Sequence, residues 1–306
     1  MELERRSNAL PFVTIGVCVR NCTSTIREAI ESIMAQDYPH ELMEVIFVDD
    51  GSKDNTLSII KEYASKMDMK VKIFHHEWKG LGPSRNVVIK NASGKYILWV
   101  DGDMIIPKDH VNKQVEFMEE NPKVGIGKAS YNIYNQNNLV SFLEDVGYIA
   151  VDYKYRGEVD AARGLGTGGS IYRVEAIKEI GGFDEYVNGA CEDTEVEFRI
   201  QRAGWKLYKA TPAHFYERRR KNWADLWKEY VWIGYGGYRV YQKNKKVFNL
   251  IKLTPLAGFI AGAWYSTIAY KVTLRKIVFL LPLQYAFKRI AWCYGFMKGQ
   301  MRKLIL

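Results

Sequence analysis

Four short apolar runs, each ending in a polar turn, organise the first hundred residues. Val13–Val19 is a continuous apolar run of the kind shown by a strand buried on both faces. Ile26, Ala29, Ile30, Ile33 and Met34 then recur at helical spacing, with Thr25 and Glu28 placed to form a capping box and Pro39 closing the unit. Residues 45–48 predict a second strand, followed by a helix with Leu57, Ile60 and Ala64 on one face. Residues 71–74 lead through Gly80-Leu81-Gly82-Pro83 into a helix near 84–91, and residues 96–100 end the series at Asp101-Gly102-Asp103. This alternation predicts a parallel sheet covered by helices, with ligands gathering outside the carboxyl ends of the strands. Arg20 and Asn21, Asp49 and Asp50, His75 and His76, and Asp101 and Asp103 all fall at those ends.

The second half is less regular. Residues 124–134 are strand-like, and the connection from there to about 163 has no clear period. The run Gly164-Leu165-Gly166-Thr167-Gly168-Gly169-Ser170 lets backbone approach a ligand closely. Ile177, Ile180 and Phe183 predict a short helix ending at Gly181-Gly182. A further helix starts at Glu192-Asp193-Thr194-Glu195, where acidic residues suit the positive end of the helix dipole. A strand at 207–213 and an aromatic-rich helix at 222–241 follow.

Aspartate has low strand propensity and is ionised at neutral pH, so two acidic clusters at strand ends indicate a polar site. Residues two apart in extended chain point the same way, so Asp101 and Asp103 are placed to share a divalent cation and, through it, a diphosphate. No Gly-x-Gly-x-x-Gly follows the first strand, which argues against a nicotinamide or flavin enzyme. The four cysteines (Cys18, Cys22, Cys191, Cys293) show neither a Cys-x-x-Cys pair nor zinc spacing.

Charge divides the 306 residues unevenly. Residues 217–306 hold 18 Lys and Arg against 3 Asp and Glu, and the remainder holds 26 against 32. The basic tail also carries 18 uncharged residues at 253–270 and 11 at 277–287, interrupted by Pro255 and Pro282. A hairpin through a bilayer would strand the basic link 271–276 on the wrong side. The expectation is therefore interfacial helices on the cytoplasmic leaflet. With Met-Glu-Leu-Glu-Arg-Arg at the start and no apolar leader pattern, the catalytic part is expected in the cytosol. Nucleic acid is not an expected partner, since no recognisable binding module accompanies the basic tail.

Six motifs in order carry a resemblance to glycosyltransferase family 2, with its GT-A, Rossmann-like fold. They are Val13 to Asn21; Val48-Asp49-Asp50-Gly51-Ser52 continuing to Thr56; Gly82-Pro83-Ser84-Arg85-Asn86; Asp101-Gly102-Asp103; Gly181-Gly182-Phe183-Asp184-Glu185 with the Glu192-Asp193 pair; and Gln201-Arg202-Ala203-Gly204-Trp205. The resemblance covers roughly the first 220 residues. It implies a catalytic domain over 1–221, with a nucleotide-sugar half at 1–103 and an acceptor half at 104–221, and a helical, basic-apolar region over 222–306. It implies a nucleotide-diphosphate sugar donor held by Asn21, Asp49, Asp50, Arg85 and Asp101. Mn²⁺ or Mg²⁺ would sit on Asp103, Asp101 and His214, and Asp193 would be the general base with Glu192 beside it. Gly168, Gly169 and Trp205 fall on the acceptor side. Asp49 or Asp50 could equally cap the turn at Gly51-Ser52, and residues 218–221 could hold a phosphate or form a solvated basic face.

Processive polysaccharide synthases carry Gln-x-x-Arg-Trp, whereas Gly204 stands here in place of the arginine. That departure implies transfer of one sugar at a time, and the basic, apolar tail implies a lipid-linked saccharide or glycan at the membrane face as the acceptor. The alternatives are a polyprenyl-phosphate sugar synthase, whose acceptor is an ionised phosphate, and a non-catalytic nucleotide-sugar-binding protein.

Overall fold

The structure, a computed structural model, describes residues 10–303 except 136, 188 and 189; the amino-terminal hexapeptide discussed above lies outside the described residues. The first half follows the alternation: β1 (Val13–Val19), α1 (Ile26–Met34), β2 (Met43–Asp50), α2 (Thr56–Ala64), β3 (Lys70–His76), α3 (Leu81–Asn91) and β4 (Tyr96–Trp99). These four strands are parallel, in the order β3-β2-β1-β4. The capping box at α1 does not form. Thr25 Oγ1 turns to the Cys22 carbonyl instead, and Glu28 pairs with Arg218.

The second half holds β5 (Met104–Ile105), α4 (His110–Glu120), β6 (Val124–Tyr131), α5 (Leu139–Lys154), β7 (Gly157–Val159), β8 (Ser170–Arg173), α6 (Val174–Glu179), α7 (Glu192–Arg202) and β9 (Lys206–Glu217). The full order is β3-β2-β1-β4-β8-β6-β9-β5, with β7 beside β9. The sheet is not parallel throughout, because β8 runs antiparallel between β4 and β6. Its direction follows from its entry. The glycine-rich loop lies at the carboxyl ends of β4 and β6, where Gly169 N donates to Trp99 O at 2.9 Å, so β8 can only run back. The unassigned connection after 131 is mostly α5. Its buried positions include Glu144, Asp145 and Asp152 among the apolar ones, which blurs the helical period in the sequence.

Two apolar layers flank the sheet. One face packs against α1, α2 and α4 through Ile30, Ile33, Ile60, Val111 and Met118. The other packs against α3, α6 and α7 through Val88, Ile89, Ile177, Val196 and Ile200, with Trp99 at its centre. The chain then forms α8 (Trp223–Lys243), α9 (Pro255–Thr273) and α10 (Leu281–Lys303). α9 and α10 rest on α5 through Phe142, Leu143, Val146, Ala269 and Leu281. Among the described residues no helix is long and apolar enough to cross a membrane.

Candidate active site

The carboxyl ends of β1, β2 and β3 build a wall of interlocked turns. Asp49 is fully buried; its Oδ1 accepts from Ser52 Oγ and its Oδ2 lies 2.8 Å from His75 Nδ1. Ser52 Oγ in turn accepts from Asn21 N at 2.9 Å, and Asn21 Oδ1 accepts from Lys53 N at 2.9 Å. Asn21 adopts φ 54°, a left-handed conformation that Asn tolerates better than most residues. Asp50 accepts from Lys79 N at 2.7 Å and Gly80 N at 3.0 Å, fixing the loop that enters α3. Both aspartates thus hold turns, and a carboxylate has lone pairs left for a ligand. The same loop presents Trp78, 56% exposed, with the Arg20 guanidinium 5.5 Å from its ring; a lone indole in a polar turn carries no pattern that singles it out beforehand.

From the first turns of α3, Arg85 reaches under the sheet's carboxyl edge. It is buried over the Trp99 and Phe183 rings, donates through Nη1 to Glu192 Oε1, and has Nη2 4.0 Å from Asp101 Oδ1. Arg85 therefore joins the first turn of α7 to the Asp-Gly-Asp turn. Burial, with Asp193 adding to it and Arg85 opposing it, pushes the Glu192 carboxyl up to about 7. Glu192 Oε2 is buried with no hydrogen-bond partner among the described residues. Next to it, Asp193 Oδ1 accepts from Thr194 N at 2.7 Å, while Oδ2 faces Gly166: a Cβ there would lie 3.7 Å away.

The glycine-rich loop closes the site. Glu197, one turn further along α7 and fully buried, accepts from Leu165 N at 3.0 and 2.9 Å and from Gly166 N at 2.8 Å. Burial and then Asp193 push its carboxyl up to about 8. A Cβ on Gly168 would overlap the Asp101 carboxylate, and one on Gly169, at φ 71°, would lie 2.7 Å from the Phe215 ring. At Gly169 the left-handed backbone and the ring together require glycine, and at Gly168 a side chain would displace the Asp101 carboxylate.

β5 brings a third carboxylate to the Asp-Gly-Asp turn. Met104 pairs with Glu217 of β9, and Arg218 N donates to Asp103 O at 2.9 Å. Burial, then Glu217 and Asp101, hold the Asp103 carboxyl well above the usual carboxylate range. Oxygen donors of this kind suit Mg²⁺ or Mn²⁺, and one or two carboxylates suffice when substrate phosphates complete the shell. Among the described residues no three His, Cys, Asp or Glu side chains are grouped to hold an ion by themselves. The residues present fit a cation shared with a diphosphate.

Two sequence expectations need correcting. His214 is exposed on β9 with Lys113 and Asp109 of α4, Arg156 and Asp152 as its charged surroundings, and its carbonyl accepts from His110 Nδ1 at 2.6 Å. It is not brought to Asp101 and Asp103; Glu217, three residues on and so on the opposite face, is. Trp205 stands just before the 12-residue β9, at the end away from Glu217, and donates to Glu179 Oε2 at 2.7 Å, so it is not gathered with Gly168 and Gly169. The basic run is also spoken for: Arg218 pairs with Glu28, Arg219 with Asp145 and Glu217, and Arg220 with Glu229. Asn21, Asp49 and Asp50 line one end of the cleft; Arg85, Asp101, Asp103, Gly168, Gly169, Glu192 and Asp193 converge at the other.

The glycosyl transferase family 2 profile matches residues 14–181, more than half of the chain. This protein belongs to glycosyl transferase family 2. The poly-beta-1,6-N-acetyl-D-glucosamine synthase of Staphylococcus epidermidis is 26% identical over 253 residues, covering 78% of this chain and 57% of that protein. Its Staphylococcus aureus counterpart is 24% identical over 237 residues, covering 76% and 56%. The chain spans little more than half the length of these relatives. Among solved structures, the mannosyltransferase PcManGT from Pyrobaculum calidifontis, in complex with GDP-Man and Mn²⁺, aligns with a TM-score of 0.67 at 18% identity, covering 97% of this chain and 89% of that one. S. aureus TarS 1-349 in complex with UDP-GlcNAc aligns at 0.53 and 18%, covering 94% and 91%. At these identities the likeness establishes the GT-A fold. The convergence of Asp101, Asp103, Glu192 and Asp193 is the candidate catalytic centre of this family member.

Proposed function

We propose that this glycosyltransferase moves one sugar at a time from a nucleoside-diphosphate sugar to a hydroxyl of a lipid-linked saccharide or glycan, with inversion at the anomeric carbon. The observation that carries the reading is the Arg85 bridge, which sets the base-side carboxylates of α7 directly against Asp101. The nucleoside end of the donor lies along the Asn21–Asp49–Asp50 wall, with Trp78 available to stack on the base. Asp101 and Asp103 would hold Mn²⁺ or Mg²⁺, whose chemistry there would be to neutralise the charge of the leaving diphosphate. Asp193 Oδ2, open toward the glycine loop, takes the proton of the acceptor hydroxyl as its oxygen bonds to the anomeric carbon and the nucleoside diphosphate leaves from the opposite face. Glu192 stays fixed by Arg85 and keeps Asp193 oriented. Single transfer is supported by Gly204. It stands at φ 96°, where an arginine would be strained, so the turn after α7 is not built to carry the synthases' Gln-x-x-Arg-Trp.

The membrane part of the proposal rests on α9. Its small residues Gly258, Gly262, Ser266 and Ala269 face inward, and a Cβ on Gly262 would lie 2.6 Å from Pro282 Cα. Its large apolar residues Leu256, Ile260 and Trp264 recur every four positions and are 70%, 61% and 60% exposed. A helix packed only in water buries its large residues, so this inverted pattern suits an interfacial helix beside a basic surface.

Asp193→Asn is expected to lower kcat by about 10²–10⁴-fold, the usual contribution of a positioned base, with nucleoside-diphosphate affinity retained. An ionised phosphate acceptor needs no base. Near-wild-type turnover in this variant would therefore replace the hydroxyl-acceptor reading with polyprenyl-phosphate sugar synthesis.

A further inference from the structure

A lysine with no ionic partner among the described residues lies under the glycine-rich loop. Lys128 of β6 is 1% exposed and stands opposite Lys209 in the β6–β9 ladder, just before the irregularity at Ala210, whose φ is 59°. Bulges beside sites re-aim side chains in this way. Lys209 has Asp152 at 3.5 Å, but among the described residues no carboxylate lies within 4.0 Å of Lys128 Nζ. The ammonium instead donates to the Gly168 carbonyl and sits 4.9 and 4.8 Å from the Tyr131 and Phe215 ring centroids. Burying an unpaired ammonium costs several kcal/mol, so an apolar side chain would stabilise the strand more cheaply. The neighbourhood indicates what the charge does. A Cβ on Gly166 would lie 3.7 Å from Asp193 Oδ2 and 3.8 Å from Lys128 Nζ, and Gly168 is pressed against the Asp101 carboxylate. Glu197 grips the amides at one end of the loop, and Lys128 grips a carbonyl at the other.

We propose that Lys128 is a positioning residue: by holding the Gly168 carbonyl it fixes loop 164–169 between Asp101 and Asp193, and so sets the spacing between the donor's diphosphate side and the base. The inference rests on the reading of Asp193 as the base. Full-chain Lys128→Met and Lys128→Gln variants test it, with kcat measured at saturating donor and acceptor and affinity for the released nucleoside diphosphate measured by calorimetry. Lys128→Met is expected to keep nucleotide affinity within about 3-fold and to lose about 100-fold in kcat, the scale of a ~1 Å misplacement. Lys128→Gln, which keeps a donor and loses the charge, is expected to recover at least about tenfold of that loss. Wild-type kcat in Lys128→Met, with Asp193→Asn inactive, overturns the proposal and leaves the base in place. An active Asp193→Asn identifies failure of the base reading instead. Should Lys128→Met fail to fold, Lys128→Gln decides: a kcat about three- to tenfold below wild type at unchanged nucleotide affinity supports the proposal, and an unchanged kcat overturns it. Joint loss of kcat, nucleotide affinity and melting temperature assigns Lys128 to core stability alone and overturns it.

Discussion

Glu197 is held in an environment that favours its protonated form, and stability must register that. Its folded pKa is about 8 against an ordinary value of 4.5. Between those values the folded chain keeps a proton that the unfolded chain has released, so unfolding free energy falls as pH rises. Glu192, raised to about 7, contributes with the same sign over a narrower window. Thermal melts across this range are expected to show a falling melting temperature in the wild type and a flatter profile in Glu197→Gln. An unchanged slope in the variant would show that Glu197 is ionised in the fold. Asp101, Asp103, Glu192, Asp193 and Arg85 were legible in the sequence because they stand at strand ends and helix starts, where a charge has no packing reason. Lys128 and Glu197 were not, because a single charge inside an element reads as a solvated position. His214 was carried over from the resemblance alone, and β9 is irregular against β6 between Lys209 and His214, so its alternation could not be counted from sequence to check that placement.

Among the elements, the first four strands and two helices followed from their apolar patterns, and the third helix from the glycine-proline turn that leads into it. α5 did not, since its face toward the core carries Glu144, Asp145 and Asp152, matched by Lys288, Arg219 and Lys209 from distant parts of the chain. Those partners are invisible until the fold brings them in. α9 is the reverse case: its lack of charge was plain, but only packing shows that the glycines face inward and the large residues outward. Replacing Leu256, Ile260 and Trp264 together by Ser is expected to abolish co-sedimentation with anionic lipid vesicles while nucleoside-diphosphate binding survives. Undiminished co-sedimentation would remove the role assigned to this face.

Across the whole molecule, the helical region is tied to the catalytic cleft rather than hung from it. Lys288 of α10 reaches Glu144 of α5 at 2.8 Å. Neighbouring Asp145 receives Arg219 at 3.2 Å, and Arg219 holds Glu217 beside the Asp-Gly-Asp turn. The surface proposed to dock on lipid and the cleft proposed to bind donor are therefore linked through buried polar contacts, which suits an acceptor delivered from that surface. The most direct test is release of nucleoside diphosphate by the purified chain in detergent. A panel of nucleotide sugars would be offered with and without Mn²⁺ or Mg²⁺, and with and without membrane lipid extract. The account predicts release from a particular donor that requires the cation and rises with the extract. Absence of release from every donor, together with absence of cation-dependent nucleotide binding, would contradict it.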